Sequence, residues 1–170
     1  MEFVRLAAVA VVSVAALVDL RTRKIPNFLT FGATAVAVAL RAWLAGGNGL
    51  VMGVSGWLVG VSLLLPLFLL RGMGAGDVKL LGAVGAWLGP VGALWAGFFT
   101  ALAGGVLALV VATINGYTVQ ALRNLWALLA LWRATGIQPL PGLTLADARG
   151  PRVPYGVAIA LGTVAAVWFH

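Results

Sequence analysis

The sequence predicts an all-α, polytopic membrane protein with about six transmembrane helices and one amphipathic helix at the interface. Of its 170 residues, 62% are hydrophobic and only 9% are charged. A soluble domain averages about 25% charged residues, so this chain cannot cover a globule with polar surface. Its length allows one integral-membrane domain, residues 1–170, without a further soluble domain.

Apolar runs recur along the chain, and a membrane-spanning helix needs about 20 such residues. Gly89 and Pro90 divide the fourth run from the fifth, because this pair breaks helices. The fourth run is short, so it either begins a turn earlier or lies in a thinned bilayer. Five spans with a longer fourth is the alternative count. The predicted spans lie near residues 3–18, 28–45, 50–70, 78–90, 91–114 and 153–169.

The first run, Met1 to Val18, partly resembles a signal peptide, with one base (Arg5) and small residues at Ala15 and Ala16. We expect it to be retained as the first span, because the residues that follow it carry the chemistry described below. A cleaved signal peptide is the alternative interpretation.

Residues 116–152 differ from the other segments. Apolar side chains recur there with a helical period, whereas polar side chains lie away from them, which predicts a cytoplasmic amphipathic helix at the interface followed by a loop. A seventh span is the alternative, although Arg123, Asn124 and Arg133 make it costly. The apolar set is Val119, Leu122, Leu125, Trp126, Leu129 and Trp132.

The distribution of basic residues predicts the orientation. All but Arg5 and Arg41 of the eleven lysines and arginines fall in or beside alternate loops, which the positive-inside rule makes cytoplasmic. The N-terminus is therefore expected outside. Tryptophans fall near the opposite ends of the spans, as in an aromatic belt. These are Trp43, Trp57, Trp87, Trp95 and Trp168.

Composition also bounds the partners and cofactors. The net charge of +7 comes from clusters between apolar runs rather than from a basic face, so nucleic-acid binding is not expected. Cysteine is absent and the one histidine is His170, which argues against disulfides and against thiolate or histidine metal sites. We expect no cofactor and no metal; membrane lipids are expected partners, and a homo-oligomer is left open.

Two of the four acids, Asp19 and Asp77, stand where an apolar run meets a cytoplasmic loop. Two spans separate them, so both emerge on the same face, at similar depth. Two carboxyl groups at close range hold a single proton between them. The ionised member can activate a water while the protonated member donates to a peptide carbonyl. Glu2 and Asp147 are expected to be solvated.

A structural role for both aspartates is the alternative. Asp77 could cap the fourth helix, and Asp19 could pair with Arg21 or Lys24. The glycines beside Asp77 allow close approach of a substrate backbone or a neighbouring helix. Farther along, Gly82, Gly85 and Gly89 form a small-residue stripe that suits tight helix packing.

The residues around Asp19 and Asp77 resemble the motifs of a known family. Gly74-Ala75-Gly76-Asp77 matches the Gly-x-Gly-Asp motif of intramembrane aspartyl proteases, and with the following Val78-Lys79-Leu80 it is similar to the second active-site region of the type IV prepilin peptidases. Asp19, a basic stretch and then Ile25-Pro26-Asn27 resemble the first region of that family. Pro154-Tyr155-Gly156 is similar to its Pro-Tyr-Gly element.

The resemblance implies that Asp19 and Asp77 are the catalytic pair of an aspartic endopeptidase. It further implies a prepilin substrate, cut at its short basic leader on the cytoplasmic face of the bacterial inner membrane. Expected supporting residues are Gly74, Gly76, Lys79, Pro26, Asn27, Pro154, Tyr155 and Gly156. Lys79 could hold an acidic group of the substrate or a lipid phosphate. Pro26 and Asn27 shape the entry to the second span.

The departures from the family matter as well. Larger relatives carry a cytoplasmic insert with paired cysteines and N-methylate the new terminus. This chain has no cysteine and no such insert, so it resembles the short, peptidase-only form associated with tight-adherence (Flp) pili. Methylation is not expected.

Two rival functions remain. A presenilin-like protease would share Gly-x-Gly-Asp, but it would have Tyr-Asp at the first acid, where this chain has Val18-Asp19, and a Pro-Ala-Leu element, which is absent. A small proton-coupled transporter would use acids as a relay, with internal repeats and broken helices. Its acids are expected nearer mid-membrane, so the peptidase interpretation is preferred.

Overall fold

The computed structural model describes residues 2–136 and 154–169, and that part of the chain is all-helical, as predicted. Five helices follow one another in these residues, and three of them are long and apolar enough to cross a membrane. The helices are α1 (Glu2–Thr22), α2 (Asn27–Leu69), α3 (Ala75–Ile114), α4 (Thr118–Thr135) and α5 (Tyr155–Phe169). The shorter α5 is also apolar.

Helix α2 turns back on itself at Ala45 and Gly46, where the backbone leaves the helical region. A side chain placed at Gly53 would lie 3.3 Å from Val38, whereas the two residues would be about 22 Å apart in a straight helix. Gly46 has φ +57°, a conformation that glycine adopts without cost. The helix therefore has two antiparallel limbs, residues 27–44 and 47–69. The second limb begins at residue 47, whereas the predicted second and third spans leave residues 46–49 as a loop.

Helix α3 reverses in the same way at Gly89, whose φ is +81° and which precedes Pro90. A side chain at Gly97 would lie 3.7 Å from Leu81, so the limbs 75–88 and 90–114 are antiparallel. The break lies where the sequence predicts it. The helix also begins at Ala75 rather than at 78, which is the earlier start considered for the fourth run. Six crossings of the membrane remain a prediction.

The first limb of α3 lies at the centre of the bundle. Its residues Leu80, Leu81 and Val84 are fully buried and belong to the main apolar core. Helix α3 contacts each of the other four described helices. Its closest approach is to the second limb of α2, where Gly85 and Gly56 meet backbone to backbone with no room for a side chain on either residue. This contact confirms tight packing at one member of the predicted glycine stripe.

The outer surface is strongly apolar. Trp43, Phe28 and Trp168 are at least 79% exposed, which a soluble protein does not tolerate over a whole surface. With the long apolar helices, this surface indicates a membrane protein. One expectation was wrong: Trp87, assigned to the aromatic belt, is 4% exposed and packs in a core cluster with Val4 and Ala37. The position of a residue along a helix predicts its depth in the membrane, but not whether its side chain faces the lipid or the interior of the bundle.

Helix α4 confirms the helical part of the predicted amphipathic segment. Within the described residues it contacts only α3, and side chains from both of its faces, such as Trp126 and Arg123, are exposed. Its place in the interface remains a prediction. The loop predicted after it, residues 138–152, lies outside the described residues.

Candidate active site

Four helix ends meet at one end of the bundle, and each brings a motif identified in the sequence. Helix α1 ends at Thr22, α2 begins at Asn27, α3 begins at Ala75 and α5 begins at Tyr155. A side chain at Gly76 would lie 3.2 Å from Ile25, so the start of α3 packs directly against the loop between α1 and α2. The three regions that resemble the family therefore form one site.

Asp19 lies in the last turn of α1 and is 7% exposed, the only charged residue among the buried side chains of the described chain. Its Oδ2 accepts a hydrogen bond of 3.0 Å from the backbone N–H of Gly156. That N–H lies in the first turn of α5, where backbone donors have no partner within the helix and the dipole favours negative charge. A buried hydrogen bond thus joins α1, the first described helix, to α5, the last.

The proposed pairing of Asp19 with Arg21 or Lys24 does not form. Both basic residues are exposed, and within residues 2–136 and 154–169 no ion pair joins either of them to Asp19. Exposed side chains are expected for Arg21 and Lys24 if these residues serve to fix the orientation of the chain in the membrane. Asp19 is therefore held by a backbone donor from a distant helix.

Asp77 lies in the first turn of α3 and is half-buried. Its carboxyl group accepts a hydrogen bond from the backbone of Gly74, the N-cap residue, so it does contribute to the start of the helix. A side chain at Gly74 would come within 3.1 Å of Oδ2 of Asp77. Glycine at position 74 therefore leaves one side of this carboxyl group open.

The two carboxyl groups are close enough to interact electrostatically. Asp77 also acts electrostatically on Tyr155, the residue next to the Gly156 donor of Asp19. Asp19 and Asp77 are therefore both near the start of α5. Two neighbouring carboxylates repel each other, and a single proton held between them relieves this repulsion. Such a pair supplies one acceptor and one donor of protons at the same place.

Lys79 has partners that the sequence did not reveal. Its Nζ donates a 3.0 Å hydrogen bond to Oδ1 of Asn27 and lies 5.0 Å from the centre of the Phe31 ring, a distance suited to a cation–π contact. Lys79 therefore ties the start of α3 to the start of α2. Pro26 is the N-cap of α2, which agrees with its predicted role at the entry to the second span.

The start of α5 is fixed by two contacts. The carbonyl of Pro154 accepts a hydrogen bond of 3.1 Å from Val157. The Tyr155 ring lies against α3, 3.1 Å from the position that a side chain at Gly104 would take. Gly104 is a functional candidate that the sequence reasoning missed. The adjacent pair Gly104-Gly105 was a signal that could have directed attention to it.

In a comparison with protein families, the model of the type IV leader peptidase family matches residues 6–109. The matched region contains Asp19, Gly74, Gly76 and Asp77, and it ends before Tyr155. Searches of curated proteins and of solved structures returned no significant match.

Proposed function

Because this chain belongs to the type IV leader peptidase family, we propose that it is a membrane-embedded aspartic endopeptidase that cuts prepilins. It removes the short basic leader of type IV pilin-like precursors at the cytoplasmic face of the bacterial inner membrane. The observation that carries the proposal is that Asp19 at the end of α1 and Asp77 at the start of α3 lie within electrostatic reach of each other, beside the start of α5.

The reaction follows from a pair that holds one proton. The ionised carboxylate takes a proton from a water, and the oxygen of that water forms a bond to the scissile carbonyl carbon. The protonated carboxyl group donates its proton to the carbonyl oxygen. Collapse of the tetrahedral intermediate breaks the C–N bond. The carboxyl group that took a proton from water gives it to the departing amine, and the other carboxylate takes a proton back from a hydroxyl group of the intermediate, so the pair again holds one proton. The dyad supplies both the acid and the base, and no cofactor enters the sequence of steps.

The surroundings of the pair suit an extended substrate. A β-carbon at Gly74 would lie 3.1 Å from Oδ2 of Asp77, so glycine at this position keeps the approach to the carboxyl group open. A peptide backbone can therefore come close to Asp77. The position at the end of the bundle suits access from the aqueous phase, and the basic residues of the loops support a cytoplasmic location for that face.

The proposal is tested with the purified chain reconstituted in liposomes and a tagged pilin precursor. Asp19→Asn and Asp77→Asn are compared with the wild type, and leader removal at a defined bond is read by mass spectrometry. Glu2→Gln is the matched control, because it makes the same acid-to-amide change at a side chain that is 87% exposed. Each aspartate variant is expected to lose at least about 10³-fold in kcat/KM, and the control to stay within about twofold.

Thermal unfolding of all variants accompanies the assay. Loss of cleavage with an unchanged unfolding midpoint supports the dyad. Retained cleavage in both aspartate variants shows that the two residues are structural and overturns the proposed mechanism.

A further inference from the structure

A second polar region lies at the end of the bundle opposite the aspartates. It is a cavity of about 150 Å³ between α1, α2, α3 and α5. About 21 Å of helix separates Arg5 in its wall from Asp19, and about 15 Å separates Trp87 from Asp77. The cavity is therefore distinct from the candidate active site. Its lining comprises Val4, Arg5, Arg41, Met52, Trp87, Leu88, Ala166 and Val167.

The two basic residues in this lining, Arg5 and Arg41, are the two that the positive-inside pattern leaves on the other face. A guanidinium within or beside an apolar span is costly, and residues of this kind mark functional sites. Arg5 forms an ion pair of 3.8 Å with the exposed Glu2. Both guanidinium groups belong to the lining of the cavity.

Arg41 is held in place by α3. Its Nε donates a 3.0 Å hydrogen bond to the carbonyl of Trp87, and its Nη2 donates to the same oxygen. This carbonyl lies two residues before Gly89, where the backbone leaves the helical region and the chain reverses. The bond therefore satisfies a carbonyl that the reversal leaves without a helical partner.

This structural role does not use the whole guanidinium group. Arginine has five N–H donors, and the described structure gives Arg41 no partner other than the Trp87 carbonyl. Trp87, which lines the same cavity, has a buried indole Nε1 that also has no hydrogen-bond partner within the described residues. The cavity thus combines the fixed guanidinium group of Arg41 with N–H donors that have no acceptor within the described residues.

We infer that this cavity binds a phosphate group, supplied by an anionic phospholipid headgroup or by inorganic phosphate. The planar fork of a guanidinium matches two phosphate oxygens. The volume is roughly ten times the minimum needed for one water, enough for a phosphate rather than for a lone water. The inference is independent of the peptidase activity.

The test uses the full chain in detergent after removal of lipid. Native mass spectrometry measures binding of dioleoylphosphatidylglycerol, and dioleoylglycerol is the matched ligand without phosphate. Thermal unfolding in sodium phosphate, against sodium chloride at equal ionic strength, measures binding of free phosphate. Arg41→Gln removes the charge but keeps a donor for the Trp87 carbonyl. Arg5→Gln leaves that bond untouched, and Arg123→Gln makes the same change on the exposed surface of α4.

The wild type and Arg123→Gln are expected to retain one phosphatidylglycerol, and Arg41→Gln and Arg5→Gln to bind it at least about tenfold more weakly. Binding of phosphatidylglycerol without stabilisation by inorganic phosphate assigns a lipid headgroup. Binding of the lipid together with stabilisation by inorganic phosphate assigns a general phosphate site. The inference is overturned if dioleoylglycerol binds as well as the phospholipid, or if Arg5→Gln, folded, binds as the wild type does. Absence of binding by both phosphate sources also overturns it.

Discussion

The backbone N–H of Gly156 donates a 3.0 Å hydrogen bond to Oδ2 of Asp19, a contact that joins α5 to α1 in the interior of the bundle. The contact is close on every side: a β-carbon at Gly156 would lie between 2.9 and 3.2 Å from three atoms of the Asp19 side chain. No side chain fits at position 156 without moving Asp19, and substitution of Gly156 tests whether the position of this carboxyl group matters.

Gly156→Ala is expected to displace the Asp19 carboxyl group and to lower kcat/KM for leader removal by at least about tenfold, because small displacements of reacting groups are costly. The measurement is cleavage of a tagged precursor by the reconstituted chain. Gly105→Ala is the matched control, since nothing lies within 4 Å of the added methyl group there. Equal activity of the two variants would contradict the importance of this contact.

Activity is expected to follow a bell-shaped dependence on pH. At low pH both carboxyl groups are protonated and the base is lost; at high pH both are ionised and the acid is lost. A pair that shares one proton is active only between these limits, and the two apparent values belong to the pair. The measurement is kcat/KM against pH at constant ionic strength. A profile that rises to a plateau on either side would be inconsistent with a dyad.

The bond between Lys79 and Asn27 is expected to stabilise the site end of the bundle by about 1 kcal/mol, a value typical of a hydrogen bond in a polar setting. A double-mutant cycle with Lys79→Met and Asn27→Ala, read by the unfolding midpoint, measures this coupling. The 3.0 Å separation predicts that the two substitutions together cost less than the sum of each alone. Strict additivity would show that the bond contributes nothing.

The backbone contact between Gly56 and Gly85 is expected to tolerate no side chain. Gly85→Ala places a methyl group against the carbonyl of Gly56 and should destabilise the protein by about 1–3 kcal/mol, as overpacking does. Gly32→Ala, where nothing lies within 4 Å, is the control and should be neutral or slightly stabilising. A comparable unfolding midpoint for both variants would indicate that α2 and α3 separate easily.

Much of this arrangement was accessible from the sequence, and the reasons are physical. Apolar runs and helix-breaking residues are local signals, so the all-α fold and the break at Gly89-Pro90 could be predicted. Asp19 and Asp77 were expected on one face because two predicted spans lie between them, and the structure brings them within electrostatic reach. Their catalytic role and the membrane face stay predictions.

Contacts between distant segments were not accessible in the same way. The bond of Arg41 to the Trp87 carbonyl depends on how two helices rotate about their axes, which hydropathy does not encode. The same uncertainty led to the wrong surface assignment of Trp87. The partner of Lys79 was missed because the amide of Asn27 is as compatible with solvent as with a neighbouring helix.

The bond between Gly156 and Asp19 also bears on biosynthesis. A ribosome delivers α1 to the membrane first and α5 after the other described helices, and segments fold in that order. A nascent chain that ends before α5 can contain both aspartates, yet Asp19 still lacks the buried donor that holds it in the complete bundle. Chains that stop before α5 are therefore expected to lack peptidase activity, because Asp19 has no such donor in them.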